Sequence, residues 1–266
     1  MRDPFQRVVM IGCFTVVCCF LCHCVGSPMG RGAPASIKKD AEAEDLQKSI
    51  LATNTALKSI KGIGRVKLQQ NNQSNIFRAV WIGKRPGQFR LEVLAATGQP
   101  MLSFAGDGKR HYLLSYTDNR LYRKKVSENG LKDIISIALS TNDIVDLLSG
   151  RLPVNPGGSA RIENGAGGQG PFLVLEDSRR NHVDKIFMGP DGMAFGGLER
   201  RDRRGRLLFK VVFDKMRVVD GFRVPDALTI TNDDNVRVHI EVERCWVNPV
   251  VSDDQFVLEK KKEGMP

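Results

Sequence analysis

The sequence predicts a mainly β fold: a curved antiparallel sheet with helices lying across it as a lid. Three observations predict it. Over most of the chain, apolar and polar residues alternate with a period of two, as they do in strands with one wet face. Residues suited to tight turns separate these runs at short intervals. One short, strongly apolar helix, within TNDIVDLLSGRLP at 141–153, interrupts them.

The composition, 41% hydrophobic and 26% charged over 266 residues, is that of a folded chain with room for one large domain or two small ones. A formal charge of +10 points to anionic partners, either nucleic acid or phospholipid headgroups. Only 7% of residues are aromatic, which leaves few rings for stacking on bases. No recognition motif is present, so nucleic acid is not an expected partner.

The first element is a leader. Arg2 and Arg7 precede an apolar run from Val8 to Val25, and small residues follow. This is the pattern of an export signal over 1–26, although the run just reaches the length of an uncleaved membrane anchor. Five of the six cysteines lie within it. Cys19 and Cys24 are candidate lipidation sites, each preceded by a poor residue for that role (Cys18 and His23); ordinary cleavage after Gly26 is the alternative. A zinc site in CCFLCHC is a further reading, but no second ligand pair follows and no metal is expected. Beyond the leader only Cys245 remains, so the domain cannot rely on an internal disulfide.

Residues 27–39, rich in Gly, Pro and Ser at their start, read as a flexible tether, and 40–266 as the folded domain. A helix is expected from Asp40 to Ser59, with Leu46, Ile50 and Leu57 on one face. From Lys61 the period is two: Phe89, Leu91 and Val93 alternate with Arg90 and Glu92, and Val236, Val238, Ile240 and Val242 with Arg237, His239 and Glu241. Turns are expected at Asn71-Asn72, Pro86-Gly87, Asp107-Gly108, Asp118-Asn119, Asp191-Gly192, Arg204-Gly205 and Asp220-Gly221. The loop Val154–Pro171 carries one short strand, Ala160–Glu163. The result is a meander of roughly ten strands, enough to curl strongly.

The interrupting helix has its own signals. Ser140 or Thr141 caps it, Asp143 stands at the capping-box spacing from Ser140, and Ile144, Leu147 and Leu148 share a face. Gly150 supplies a left-handed end and Pro153 forbids continuation. The preceding LKDIISIAL, from Leu131, is also expected to be helical. These helices need something apolar to cover, and the concave face of the sheet is the candidate. Beneath them lies either a packed core or an apolar cavity.

The run FRLEVLAATGQPMLSFAGDG followed by LSTNDIVDLLSGRLP resembles the LolB family of outer-membrane lipoprotein receptors, and the C-terminal VNPVVSDDQFVLEKKKEG is similar to the tail of the periplasmic carrier LolA. The resemblance implies an unclosed, half β-barrel of about eleven strands with a helical lid. It further implies a cavity for the acyl chains of lipoproteins or phospholipid, placed at the inner leaflet of the outer membrane or in the periplasm. A LolA-like carrier is the implied partner. Cavity lining is expected from Phe89, Leu91, Val93, Leu102, Phe104, Ile144, Leu147 and Leu148. The loop with Thr97 and Gly98 matches the membrane-facing loop of the receptor, with one departure: Thr97 stands where the receptor has a protruding Leu. Thr cannot wedge into acyl chains as Leu can, so the implication is lipid or lipoprotein binding rather than full receptor activity.

The hairpin LERRDRRGRLLF, 198–209, is either a solvated turn or a contact for anionic headgroups through Arg200, Arg201, Arg203 and Arg204. An enzyme is the alternative from another class. His111, His182 and His239 are scattered, however. Asp233 and Asp234 sit in a turn-like TNDDN, and Ser103 and Ser178 lack a nucleophile elbow. No catalytic residue and no cofactor is expected. A third reading is an envelope scaffold that docks a protein partner through the same fold. A filled interior favours the scaffold, a hollow one lipid carriage.

Overall fold

The structure, a computed structural model, describes residues 35–126, 132, 136–165, 170–177, 181–189 and 195–259. The expected leader, with Cys19 and Cys24, lies outside the described residues, as does most of the segment 131–135.

Strands β1 (Ser59–Gln70), β2 (Gln73–Lys84), β3 (Gln88–Leu94), β4 (Pro100–Gly106), β5 (Arg110–Ser115) and β6 (Arg120–Lys125) form one meander. A second consists of β7 (Ser159–Glu163), β8 (Phe172–Asp177), β9 (His182–Phe187), β10 (Gly197–Asp202), β11 (Leu207–Val219), β12 (Phe222–Thr231) and β13 (Arg237–Val247). A single antiparallel seam, β1 against β13, joins them. The order is therefore β6-β5-β4-β3-β2-β1-β13-β12-β11-β10-β9-β8-β7, a sheet that curls without closing. This is the unclosed half-barrel expected, with thirteen strands among the described residues rather than about eleven. Edge strands such as RLYRKK carry charge where an inner strand shows alternation, which hides them in the sequence. Register shifts at Ile63/Gly64, Val93/Leu94 and Phe213/Lys215 bend the ribbon.

The turns within the described residues sit where the sequence places them; the one expected at Asp191-Gly192 lies outside the described residues. Asn71-Asn72 and Asp220-Gly221 both adopt positive φ, at 50° and 62° and at 47° and 82°, the requirement of a two-residue hairpin loop. The first helix differs from expectation. α1 spans Ala35–Ala52, so it starts inside the stretch read as a tether and stops well before Ser59. Asn54, at φ 49°, ends it. The Asn54 side-chain amide then donates to the Ser149 carbonyl at 2.8 Å and the Arg223 carbonyl at 2.7 Å. Leu57, freed from the helix, is still fully buried.

Helix α2 (Thr141–Leu148) has the predicted capping box: Ser140 Oγ accepts from the Asp143 amide at 3.1 Å, and Asp143 Oδ2 accepts from the Ser140 amide at 2.8 Å. Of the expected preceding helix, the described end, 136–140, is irregular, with Ser136 at φ 57° and Ile137 and Leu139 fully buried. Helix α1 packs on β7 and β8, and α2 on β3 and β12. The chain tail crosses the opposite, convex face. Asn248 Oδ1 accepts from the Lys58 amide at 2.8 Å, Phe256 is fully buried, and Leu258 packs with Ala105, Tyr112 and Leu114. Among the described residues no helix is long and apolar enough to cross a membrane.

Gly150 closes α2 at φ 68°, and a Cβ there would overlap the Arg223 carbonyl. A left-handed non-glycine residue costs about 1–2 kcal/mol before any overlap is relieved. Gly150→Ala is therefore expected to lower the unfolding free energy by at least that much, read as a lower urea midpoint at unchanged m value; an unchanged midpoint would show that this close approach is not needed.

Candidate functional site

The concave face has two unlike halves. Over β8–β11 it is packed solid, with Leu173, Ile186, Leu198, Phe209 and Val211 fully buried together with Ala43 and Ile50 of α1. Over β1–β5, β12 and β13, beneath α2, a hollow of about 330 Å³ remains. That is roughly twice the ~150 Å³ of a dry apolar cavity able to hold benzene. Phe89, Leu91, Val93, Leu102, Phe104, Ile144, Leu147 and Leu148, singled out from the sequence, all line it. So do Leu68, Phe77, Trp81, Leu113, Leu139, Leu228, Ile230, Val238 and Ile240. The lining side chains are aliphatic or aromatic, and their one polar atom is the buried, unpartnered Trp81 Nε1, so a polar ligand finds little to anchor it while a hydrocarbon chain is well matched.

Trp81 forms part of the floor because β1 makes room for it. A Cβ on Gly62 would overlap the indole ring, and one on Gly64 would overlap the Glu241 carbonyl as well as touching Trp81. The hollow closes toward α2, where Trp81, Phe89, Phe104, Leu147 and Leu148 are buried, and its lining becomes half-exposed at Leu68, Phe77, Val93 and Leu102. The strand registers put several hairpin tips at this more open end: Asn71-Asn72, Ala96–Gly98, Tyr116–Asn119, Arg203-Arg204 and Asn232–Asn235. Thr97 and Gly98 are thus exposed on the rim of the hollow.

The roof is pinned by buried charge. Asp146 of α2 lies 3.1 Å from Arg85 Nε and 3.5 Å from Arg151 Nε, ion-paired without hydrogen-bond alignment. Burial raises the Asp146 pKa, and the charges of Arg85 and Arg151 oppose that rise. Arg151 Nη1 also donates to the Thr53 carbonyl at 2.7 Å. On the other side Asp143 approaches Arg200 Nη1 at 3.9 Å.

Arg200 corrects a sequence expectation. The arginine run groups it with Arg201, Arg203 and Arg204 as a headgroup contact, yet it is buried on the concave face. Its Nε and Nη2 donate to the two Asp184 oxygens at 2.7 and 2.9 Å, and Nη2 also donates to the Pro153 carbonyl at 2.6 Å. Burial alone would raise the Asp184 pKa; the Arg200 hydrogen bonds and charge outweigh it and hold the carboxyl below its ordinary value. The inward turn is readable from alternation, since Arg200 shares its face with Leu198 two residues earlier. Arg201 is half-exposed and donates to Glu199 Oε1 at 2.6 Å, while Arg203 and Arg204 are exposed at the hairpin tip.

The residues weighed for catalysis are not brought together. His111 is buried near Phe104, and His182 Nε2 lies 3.5 Å from Asp184 Oδ2. His239 Nδ1 meets Thr229 Oγ1 at 2.9 Å on the convex face, and that hydroxyl donates to Asp214 at 2.6 Å. Asp233 accepts from the Leu207 amide at 2.9 Å, and Ser103 Oγ lies 3.2 Å from the Tyr116 hydroxyl. Ser178 lies outside the described residues. Burial pushes the Cys245 thiol up to about 11, so it stays protonated and unreactive at neutral pH. Among the described residues no group of three or more His, Cys, Asp or Glu could hold a metal ion.

No protein-family model matches the chain, and no curated protein does. Solved structures do share its fold. A DUF1329 family protein from Desulfovibrio piger superposes with a TM-score of 0.61 at 11% identity, covering 82% of this chain and 97% of that one. An outer membrane lipoprotein-sorting protein domain from Vibrio parahaemolyticus gives 0.58 at 11% identity, with coverage of 82% and 97%. The LolA superfamily protein NE2245 from Nitrosomonas europaea gives 0.53 at 10% identity, with 85% and 99%. The chain therefore has the LolA-type fold that its sequence motifs resemble.

Removing one partner of the Arg200–Asp184 pair strands a buried charge, at a cost of about 3–5 kcal/mol. Arg200→Met is expected to lose that much by chemical denaturation, and Arg200→Met with Asp184→Leu to recover much of it. If Arg200→Met proved neutral, the pair would not be holding the roof.

Proposed function

We propose that the protein holds the acyl chains of lipoproteins or lipids in the hollow beneath α2 and carries or receives them at the outer membrane, without enzymatic chemistry. The observation that carries this reading is a cavity of about 330 Å³ lined by aliphatic and aromatic side chains. Each methylene moved into it from water is worth roughly 0.8 kcal/mol, so affinity grows with chain length and needs no directed polar contact. Fold similarity to a lipoprotein-sorting domain supports the same reading. A scaffold that only docks a protein partner has no use for a hollow, and interiors otherwise close-pack.

Handover follows from the same geometry. The end of the hollow that carries the Thr97-Gly98 loop and the exposed Arg203 and Arg204 is the end offered to the inner leaflet or to a LolA-like carrier. Basic residues near an anionic surface contribute on the order of 1 kcal/mol each. Export, with the leader removed or acylated, places the domain in the periplasm or on the periplasmic face of the outer membrane.

Mass spectrometry of protein purified without harsh detergent is expected to show co-purifying acyl lipids. Leu91→Glu puts a carboxylate at a half-exposed lining position and is expected to abolish that retention, with circular dichroism checking that the fold persists. Purified protein free of acyl species under gentle extraction would remove the proposal.

A further inference from the structure

The strand registers place a row of side chains across the concave face from the centre of the sheet to one edge: Trp81 opposite Leu91, Leu91 opposite Phe104, Phe104 opposite Leu113, and Leu113 opposite Tyr122. Directly opposed residues in an antiparallel pair share a face. The first four members line the hollow. The fifth, Tyr122, lies one strand spacing further out, about 4.8 Å, and is 54% exposed. Its strand, β6, is the edge of the sheet among the described residues. By alternation Arg120 and Lys124 share the face of Tyr122 on either side, and both are exposed. The oily row thus ends in an aromatic ring flanked by two cations.

On the two strands themselves the charged residues of this face are basic. The residues of β5 and β6 on this face are His111, Leu113, Ser115, Arg120, Tyr122 and Lys124, with no acid among them. The one acid of the hairpin tip, Asp118, accepts from Ser115 Oγ at 3.2 Å, at the Arg120 end of the face, and leaves the Lys124 end to the cation. Charge on an edge strand deters pairing with other chains, a role that either sign would fill. That role does not require a tyrosine at the end of the cavity row, nor basic residues alone at the charged positions of β6 on its face. Tyrosine between basic residues suits the boundary between hydrocarbon and headgroup, where a ring meets the upper methylenes and flexible cations reach the head.

Resting on the cavity reading above, we infer that Arg120, Tyr122 and Lys124 form a headgroup subsite at the lip of the hollow. The ligand it selects is an amphiphile whose tail enters beneath α2 and whose head carries a phosphate or carboxylate, in preference to one with an uncharged head. The subsite thereby deepens the proposed function from acyl binding in general to acidic lipid.

Trp81 supplies the readout, since it lines the hollow and the only other tryptophan, Trp246, lies on the convex face. In the full chain carrying Trp246→Phe, lipids with brominated acyl chains quench Trp81 when the tail is inserted. A brominated phosphatidic acid is expected to reach half-quenching at about tenfold lower concentration than a diacylglycerol of the same chains. Arg120→Gln with Lys124→Gln is expected to reduce that preference to near unity, with far-ultraviolet circular dichroism confirming the fold. Equal affinity for the two lipids, or a preference that survives the double substitution, would overturn the subsite. Titration with inorganic phosphate alone is expected to show only weak binding; binding as tight as that of the acidic lipid would overturn the inference in favour of a free-phosphate site. If the double substitution abolished only the pelleting of protein with phosphatidylglycerol vesicles, the basic lip would be a membrane-docking surface and the subsite would fall. Should neither lipid quench Trp81, the cavity reading falls with it, whereas equal quenching removes the subsite alone.

Discussion

A meander that begins in the middle of a sheet must cross that sheet once. The chain enters at β1, builds outward to the edge β6, and can continue only at the far edge β7 before working back to β13 beside its start. The inner face is apolar and cannot be left to water, so the crossing segment runs over it and carries the apolar stripe of α2. The one short helix in a sequence of strands follows from this topology.

The roof does not rest on greasy contact alone. Buried pairs of Asp146 with Arg85 and Arg151, and of Asp184 with Arg200 beneath Pro153, hold α2 and its following loop from both sides. Such pairs contribute little net stability but are costly to break singly, which makes a swinging lid expensive. Passage at the hairpin-tip end, where the lining is already half-exposed, disturbs none of them. The two halves of the concave face divide the work: the packed half under α1 supplies stability, and the other half leaves volume unfilled at the expense of dispersion contacts.

Much of this was legible in the chain. Phe89, Leu91 and Val93 announce an inward face by alternation, and Ile144, Leu147 and Leu148 a shared helical face, and all six line the hollow. The other half of the wall was not legible. Leu228, Ile230, Val238 and Ile240 alternate just as clearly, but their place beside Leu68 depends on the β1–β13 seam, a pairing that no local pattern encodes. Arg200 was misplaced because a dense run of arginines reads as solvated surface, while its parity with Leu198 carried the correct answer. The end of α1 was missed because Leu57 keeps helical spacing with Leu46 and Ile50, whereas Asn54 had already turned the chain.

The β1–β13 seam also governs how such a sheet can be made. Ile60 faces Val247 and Lys61 faces Trp246, so the middle of the molecule is stitched from opposite ends of the folded region. Contacts so distant along the chain are slow to form. During synthesis or passage through a narrow conduit, the first meander would exist with the outer edge of β1 unpaired until β13 emerges. A polypeptide of this design stays threadable until it is nearly complete, and then has a single late event that locks both wings at once.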